Sequence, residues 1–138
     1  MYTDMFSAFL ASDDTLRVYE GETLVFSSQK EQLLPLMEYL TGDGSREQLV
    51  IILDKIMGNA AALLSVKANC REVYSPLGSE LAVKTLEKHN VEYHLSEIAP
   101  YIQRPDGKSM CPMEKLSIGK EPEEFYQEMK ARVEAKKQ

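Results

Sequence analysis

At 138 residues, 43% of them hydrophobic, the chain has the size of one globular domain that can bury a core without disulfide or metal staples. Its net charge is −6, with lysines and arginines spread along the chain, so neither an extended phosphate-neutralising surface nor a nucleic-acid partner is expected. Cys70 and Cys111 stand far apart with no Cys-x-x-Cys, and only His89 and His94 accompany them, which argues against a disulfide framework or a zinc cluster and for a reducing cytoplasm.

The opening segment MYTDMFSAFLASDD carries acids and no basic leader, and no apolar run approaches the roughly 18 residues of a membrane span. Neither secretion nor a membrane is expected. Met5, Phe6, Phe9 and Leu10 share one helical face, so residues 1–12 read as a short amphipathic helix, ended by Asp13-Asp14, that packs on the main body. TLRVYEGETLVFSS gives two alternating runs about Gly21, a hairpin signal. EQLLPLMEYL continues as a helix in which Pro35 demands a late start or a kink, and TGDGS breaks the chain.

From there strands and helices alternate. LVIIL is continuous and β-branched, the signature of a central parallel strand covered on both faces. A helix over 56–68, a strand REVYS, a helix over 78–89 and a strand VEYHL follow, so the hairpin plus βαβαβ implies a mixed sheet with helices against its faces, an α/β sandwich. RPDGKS reads as a turn, and CPMEKLS as a short helix with Cys111 at its cap and Pro112 at its first position. In EPEEFYQEMKARVEAKKQ, Phe125, Met129 and Val133 form a narrow stripe, read as a solvated appendage helix or an oligomer contact. Residues 13–118 are thus the main domain and 119–138 a tail.

Chemistry is expected at the strand-to-helix junctions. Asp54 closes the buried strand and is either the N-cap of the next helix or a ligand-facing carboxylate, since ligands bind at the carboxyl ends of strands in open α/β sheets. Lys55 in a first helical turn opposes the macrodipole. It is either a solvated stem paired with a nearby acid or a charge offered to an anion held over the helix N–H groups, with Gly58 permitting close approach and Asn59 hydrogen-bonding. Ala60-Ala61-Ala62 is a packing face. At the second junction, Ser75 reads as an N-cap with Pro76 at the first helical position, and Ser79 and Glu80 follow in the first turn. If the two strands are neighbours, both junctions open onto one crevice.

Cys111 is the candidate nucleophile, its thiolate favoured by unpaired N–H groups at a helix start, against the alternative of an inert half-buried residue. Glu114 is either an N3 carboxylate of the same helix or a general base near the crevice. Cys70, beginning a strand, reads as core. Neither histidine has a second ligand at useful spacing, so no metal site and no cofactor is expected.

The segments DKIMGNAAALL, SPLGSELA and SMCPMEKL, in this order and spacing, resemble the uncharacterised bacterial and archaeal family catalogued as domain of unknown function 1893, over about Thr15 to Leu116. The resemblance implies a cytidine deaminase-like fold, a three-layer α/β/α sandwich with a mixed sheet, whose ancestral pocket Asp54, Lys55 and the residues from Ser75 to Glu80 would border. The family's Cys-Pro-x-Glu signature falls on Cys111, Pro112 and Glu114. Zinc deamination requires an imidazole or thiolate ligand, two further thiolates and a glutamate. The junctions read Asp-Lys-Ile-Met-Gly and Ser-Pro-Leu-Gly-Ser, so that chemistry is rejected while the pocket is kept. The resulting expectation is a domain that binds a small anionic, nucleotide-like metabolite between the junctions, with a version that uses Cys111 as a reactive thiol. The alternative is a non-catalytic regulatory module whose terminal helices make a homo-oligomer.

Overall fold

The structure, a computed structural model, describes residues 2–42 and 47–136. In chain order these form α1 (Tyr2–Leu10), β1 (Leu16–Glu20), β2 (Thr23–Ser28), α2 (Leu34–Thr41), β3 (Val50–Asp54), α3 (Asn59–Lys67), β4 (Cys70–Ser79), α4 (Glu80–Lys88), β5 (Glu92–Ala99), α5 (Pro112–Ser117) and α6 (Pro122–Lys136). Most of the expected TGDGS break lies outside the described residues.

One five-stranded sheet has the order β2-β1-β3-β4-β5. β1 runs antiparallel to both neighbours, and β3, β4 and β5 run parallel, as a hairpin followed by two strand–helix crossovers requires. Gly21 turns the hairpin at φ +59, a conformation that costs glycine little. β3 is buried along its whole length. Its alternation sends Ile51 and Leu53 into a cluster with Phe9 and Tyr19, while Val50 and Ile52 join the larger core with α2, α3, α4 and α6. Helices therefore lie on both faces of the sheet, α1 alone with the smaller cluster.

The structure adjusts two expectations and settles the choice at Pro35. Within α1, Phe9 is fully buried but Leu10 is 43% exposed, so the stripe is narrower than read. α2 takes the late start that Pro35 offered, with the proline in its first turn. The tail is no appendage. Phe125 is fully buried, and Tyr126 and Met129 are nearly so, all within the main core. The reason lies in α3, which is buried from Asn59 to Ser65 and whose alanines let a second layer of helix approach from the side away from the sheet. Lys67 at the end of α3 then pairs with Glu123 of α6 and lies over the Tyr126 ring.

Candidate functional site: the end of β3

β3 ends at Asp54, and the backbone leaves the sheet only briefly. Met57 re-pairs with β4, its N–H donating to the Leu77 carbonyl at 2.8 Å while its carbonyl accepts from Ser79 at 3.2 Å. Gly58 then caps α3 in an extended conformation, so the helix begins at Asn59 rather than at 56. Lys55 therefore stands before the helix, not in its first turn. Its Nζ donates to the Ser12 carbonyl at 3.0 Å and sits 4.8 Å from the centroid of the Phe9 ring. The ammonium is thus held at the carboxyl end of α1, where the macrodipole favours a cation, and a bound anion is not needed to account for it.

The anion at the start of α3 comes from within the chain. Glu114, 2% exposed, accepts from the Asn59 N–H at 2.5 Å through Oε1 and from the Ile102 N–H at 2.6 Å through Oε2. A Cβ on Gly58 would lie 2.9 Å from Ile102 Cγ1 and 3.2 Å from Glu114 Oε1, so glycine here makes room for the segment that brings the carboxylate in. Asn59 is equally committed. Its Nδ2 donates to the Ser117 carbonyl at 3.2 Å and hydroxyl at 3.0 Å, and its Oδ1 accepts from Thr85. Asn59 and Glu114 thereby tie α3 to α4 and α5. Glu114 does stand at the third position of α5, as one of its two readings had it, but its carboxylate is turned to the start of a different helix, α3.

The second junction also differs from expectation. β4 continues through Ser75-Pro76 to Ser79, because Leu77, Gly78 and Ser79 keep their pairing with Glu97, Ile98 and Ala99 of β5. Ser75 is therefore not an N-cap. It is fully buried, its hydroxyl donating to the Leu77 carbonyl at 2.9 Å. The cap of α4 is Ser79, whose hydroxyl accepts from Ala82 N–H at 3.1 Å, and Glu80 is exposed at the first helical position. None of these three lines the cavity described next.

That cavity, of about 510 Å³, lies between the end of β3, the turn before α2 and the segment from Ile102 to Glu114. Its walls include Asp54, Lys55, Gly58, Cys111 and Glu114, so the Leu-Asp-Lys junction meets the Cys-Pro motif rather than the second junction. Residues 102–111 form a small hairpin over it, with Gln103 bridged to Met110 and the Cys111 N–H bonded to the Ile102 carbonyl at 2.8 Å. Sequence reasoning missed Gln32, Leu33, Ile102, Pro105 and Met113 on the walls. Gln32 carried one signal visible only in three dimensions, a non-glycine backbone at φ +60.

Asp54 is the group in this wall whose surroundings are least suited to it. It is 8% exposed, and its hydrogen bonds are to the backbone N–H groups of Ile56 and Lys55, the former long at 3.4 Å. No cation among the described residues pairs with it. Burial pushes its carboxyl up to about 7, against the smaller lowering by those N–H groups. Cys111 is half-buried at the cap of α5. Cys70 is core as expected, and burial pushes its thiol up to about 12.

His94 has the companions that its spacing in sequence concealed. Its Nε2 lies 2.9 Å from Glu72 Oε2 and 3.3 Å from Glu92 Oε2. Glu92 lies two residues earlier on the same face of β5, and Glu72 is its partner across the β4–β5 ladder. No helix among the described residues is long and apolar enough to cross a membrane.

Fold and site define the chain as an α/β domain built on a mixed five-stranded sheet, with its cavity at the carboxyl end of a central strand. The family model for TM1506, a domain of unknown function (DUF1893), matches residues 6–133, and the chain belongs to that family. The match takes in most of α1 and of α6, which the narrower sequence resemblance had left out. The crystal structure of a DUF1893 family protein, TM1506 from Thermotoga maritima, is similar with a TM-score of 0.84 and 27% identity, over 95% of this chain and 88% of that one. No curated protein matches the chain.

Proposed function

We propose that the domain binds a small neutral or cationic molecule, of the size and polarity of a nucleobase or nucleoside, in the cavity at the end of β3. The observation that carries this reading is Asp54, a buried carboxyl without a countercharge on the wall of a cavity large enough for such a guest. A carboxyl in that setting is costly unless paired, and a guest that donates N–H bonds supplies the pairing. Leu33, Ile102, Pro105 and Met113 offer the apolar walls on which a flat ring packs.

This keeps a small nucleotide-like ligand and changes where charge is expected. Glu114 occupies the α3 N-terminus, Lys55 is bonded to Ser12, and Glu31, Asp54 and Glu114 outnumber that lysine on the walls. The phosphate of a nucleotide would lie outside, toward Arg104 and Lys115, which line an open depression sharing Pro112 with the cavity. Helices on both faces and a cavity at strand ends also support the three-layer, deaminase-like arrangement. The zinc of true deaminases does not fit, since Asp54 to Gly58 and Ser75 to Ser79 offer no thiolate or imidazole. In a catalytic version, with Cys111 on the same wall, Asp54 rather than Glu114 is the carboxyl suited to proton transfer.

The test is a thermal-shift panel of nucleobases, nucleosides and mononucleotides against the wild type and Asp54→Asn. A ligand at about 100 times its Kd adds about 2.7 kcal/mol of stability. Bases or nucleosides should stabilise the wild type and lose that effect in Asp54→Asn. Stabilisation confined to phosphorylated compounds and indifferent to the substitution would refute the reading. No stabilisation by any compound would favour the interaction module instead.

A further inference from the structure

We propose that Glu72, Glu92 and His94 form a binding site for a divalent transition-metal ion in the manganese-to-zinc range. The three lie on the sheet face opposite the cavity, on the side of α1, and none of them lines the cavity. One ligand atom from each lies within 4.8 Å of the others. The two separations to His94 Nε2, 2.9 Å and 3.3 Å, already match an ion's coordination sphere: bonds of about 2.0–2.2 Å in tetrahedral or octahedral geometry set neighbouring ligands roughly 3 Å apart.

The site is more than a group of surface acids. Glu72 is 7% exposed, and its Oε2 accepts from the Tyr74 hydroxyl at 3.3 Å and lies 2.9 Å from His94 Nε2. A largely buried carboxylate beside a second carboxylate and an imidazole is a donor set that suits a cation. Placement is rigid. The parallel ladder sets Glu72 opposite Glu92 and Tyr74 opposite His94, and the Tyr74 ring stacks on the imidazole at 4.3 Å and 13°. The Phe6 ring of α1 packs behind Tyr74 at 5.6 Å. One imidazole with two carboxylates selects a borderline transition ion over magnesium or calcium, which prefer oxygen alone. Three protein ligands leave at least one position open to water or a further ligand.

The probes are zinc and cobalt chlorides added to the full chain, followed by calorimetry and by cobalt absorption. Stoichiometric binding is expected in the wild type. His94→Asn and Glu92→Gln, both at exposed positions, should weaken it by at least the 10–100-fold that loss of even an outer-shell partner costs. Glu97→Gln, on the other face of β5, should leave it unchanged. Absence of binding, an affinity unmoved by the His94 and Glu92 variants, or a thiolate-to-cobalt charge-transfer band placing the ion at a cysteine would overturn the assignment.

Discussion

Replacing Glu114 by glutamine separates the two roles a buried carboxylate can have beside a cavity. The carboxylate accepts one short bond at each oxygen, from Asn59 N–H at 2.5 Å and from Ile102 N–H at 2.6 Å, and it does so at the start of a nine-residue helix. Glutamine keeps the shape but turns one acceptor into a donor, so one backbone N–H faces an NH₂ group. A hydrogen bond to a charged group contributes about 1.5–3 kcal/mol, and a partly buried charge at a helix terminus up to about 2 kcal/mol. Losing one bond and the charge should therefore cost about 3 kcal/mol, or roughly 9–15 °C in Tm for a chain of this length. Urea and thermal unfolding followed by circular dichroism measure both quantities. A Glu114→Gln protein within about 1 kcal/mol of wild type would refute the capping role and return Glu114 to the candidates for proton transfer.

The remaining predictions concern the core, the helix interior, the thiols and pH. Phe125→Ala should cost about 3–5 kcal/mol in urea unfolding, as a fully buried aromatic does, whereas an appendage helix would lose almost nothing. Ser65 has the one buried side-chain polar atom without a hydrogen bond among the described residues, so Ser65→Ala should raise stability by about 1 kcal/mol in the same assay. A thiol reagent should label Cys111 in the folded protein and Cys70 only after unfolding, counted by mass spectrometry, because Cys70 is buried with its thiol pushed up to about 12. Asp54 has a folded pKa of about 7, above its unfolded value, so its contribution to stability is complete below about pH 4 and is lost as pH rises through 7. Asp54→Asn should remove that loss and unfold a few kcal/mol later than wild type at pH 8, as read from urea midpoints.

The parts of the fold that could be read in advance were those written in local periodicity. LVIIL is apolar and β-branched along its run, which marks a central strand, and the hairpin about Gly21 and the crossovers after it then fix most of the strand order. What escaped was set by contacts distant in sequence. Nothing near Lys55 says that its charge will meet the end of α1, 43 residues earlier. Glu114 lies 55 residues from the helix that it caps. Ser75-Pro76 satisfies the local rules of a helix start, and β5 overrides them by continuing to pair. The amphipathic stripe of α6 was visible, but its burial depends on the small alanines of α3, whose outer side is exposed to a partner only in three dimensions. For the same reason His94 looked solitary until the register of two parallel strands brought Glu72 beside it.

The account rests on Asp54 being a buried, uncompensated acid at the cavity wall, and a carbon-13 NMR titration of its side-chain carboxyl measures that directly. A midpoint near 7 in the free protein is the expected result. A midpoint near 4, the range of an ordinary hydrated aspartate, would mean that the carboxylate is solvated or paired, and the reason for placing a ligand beside it would be gone.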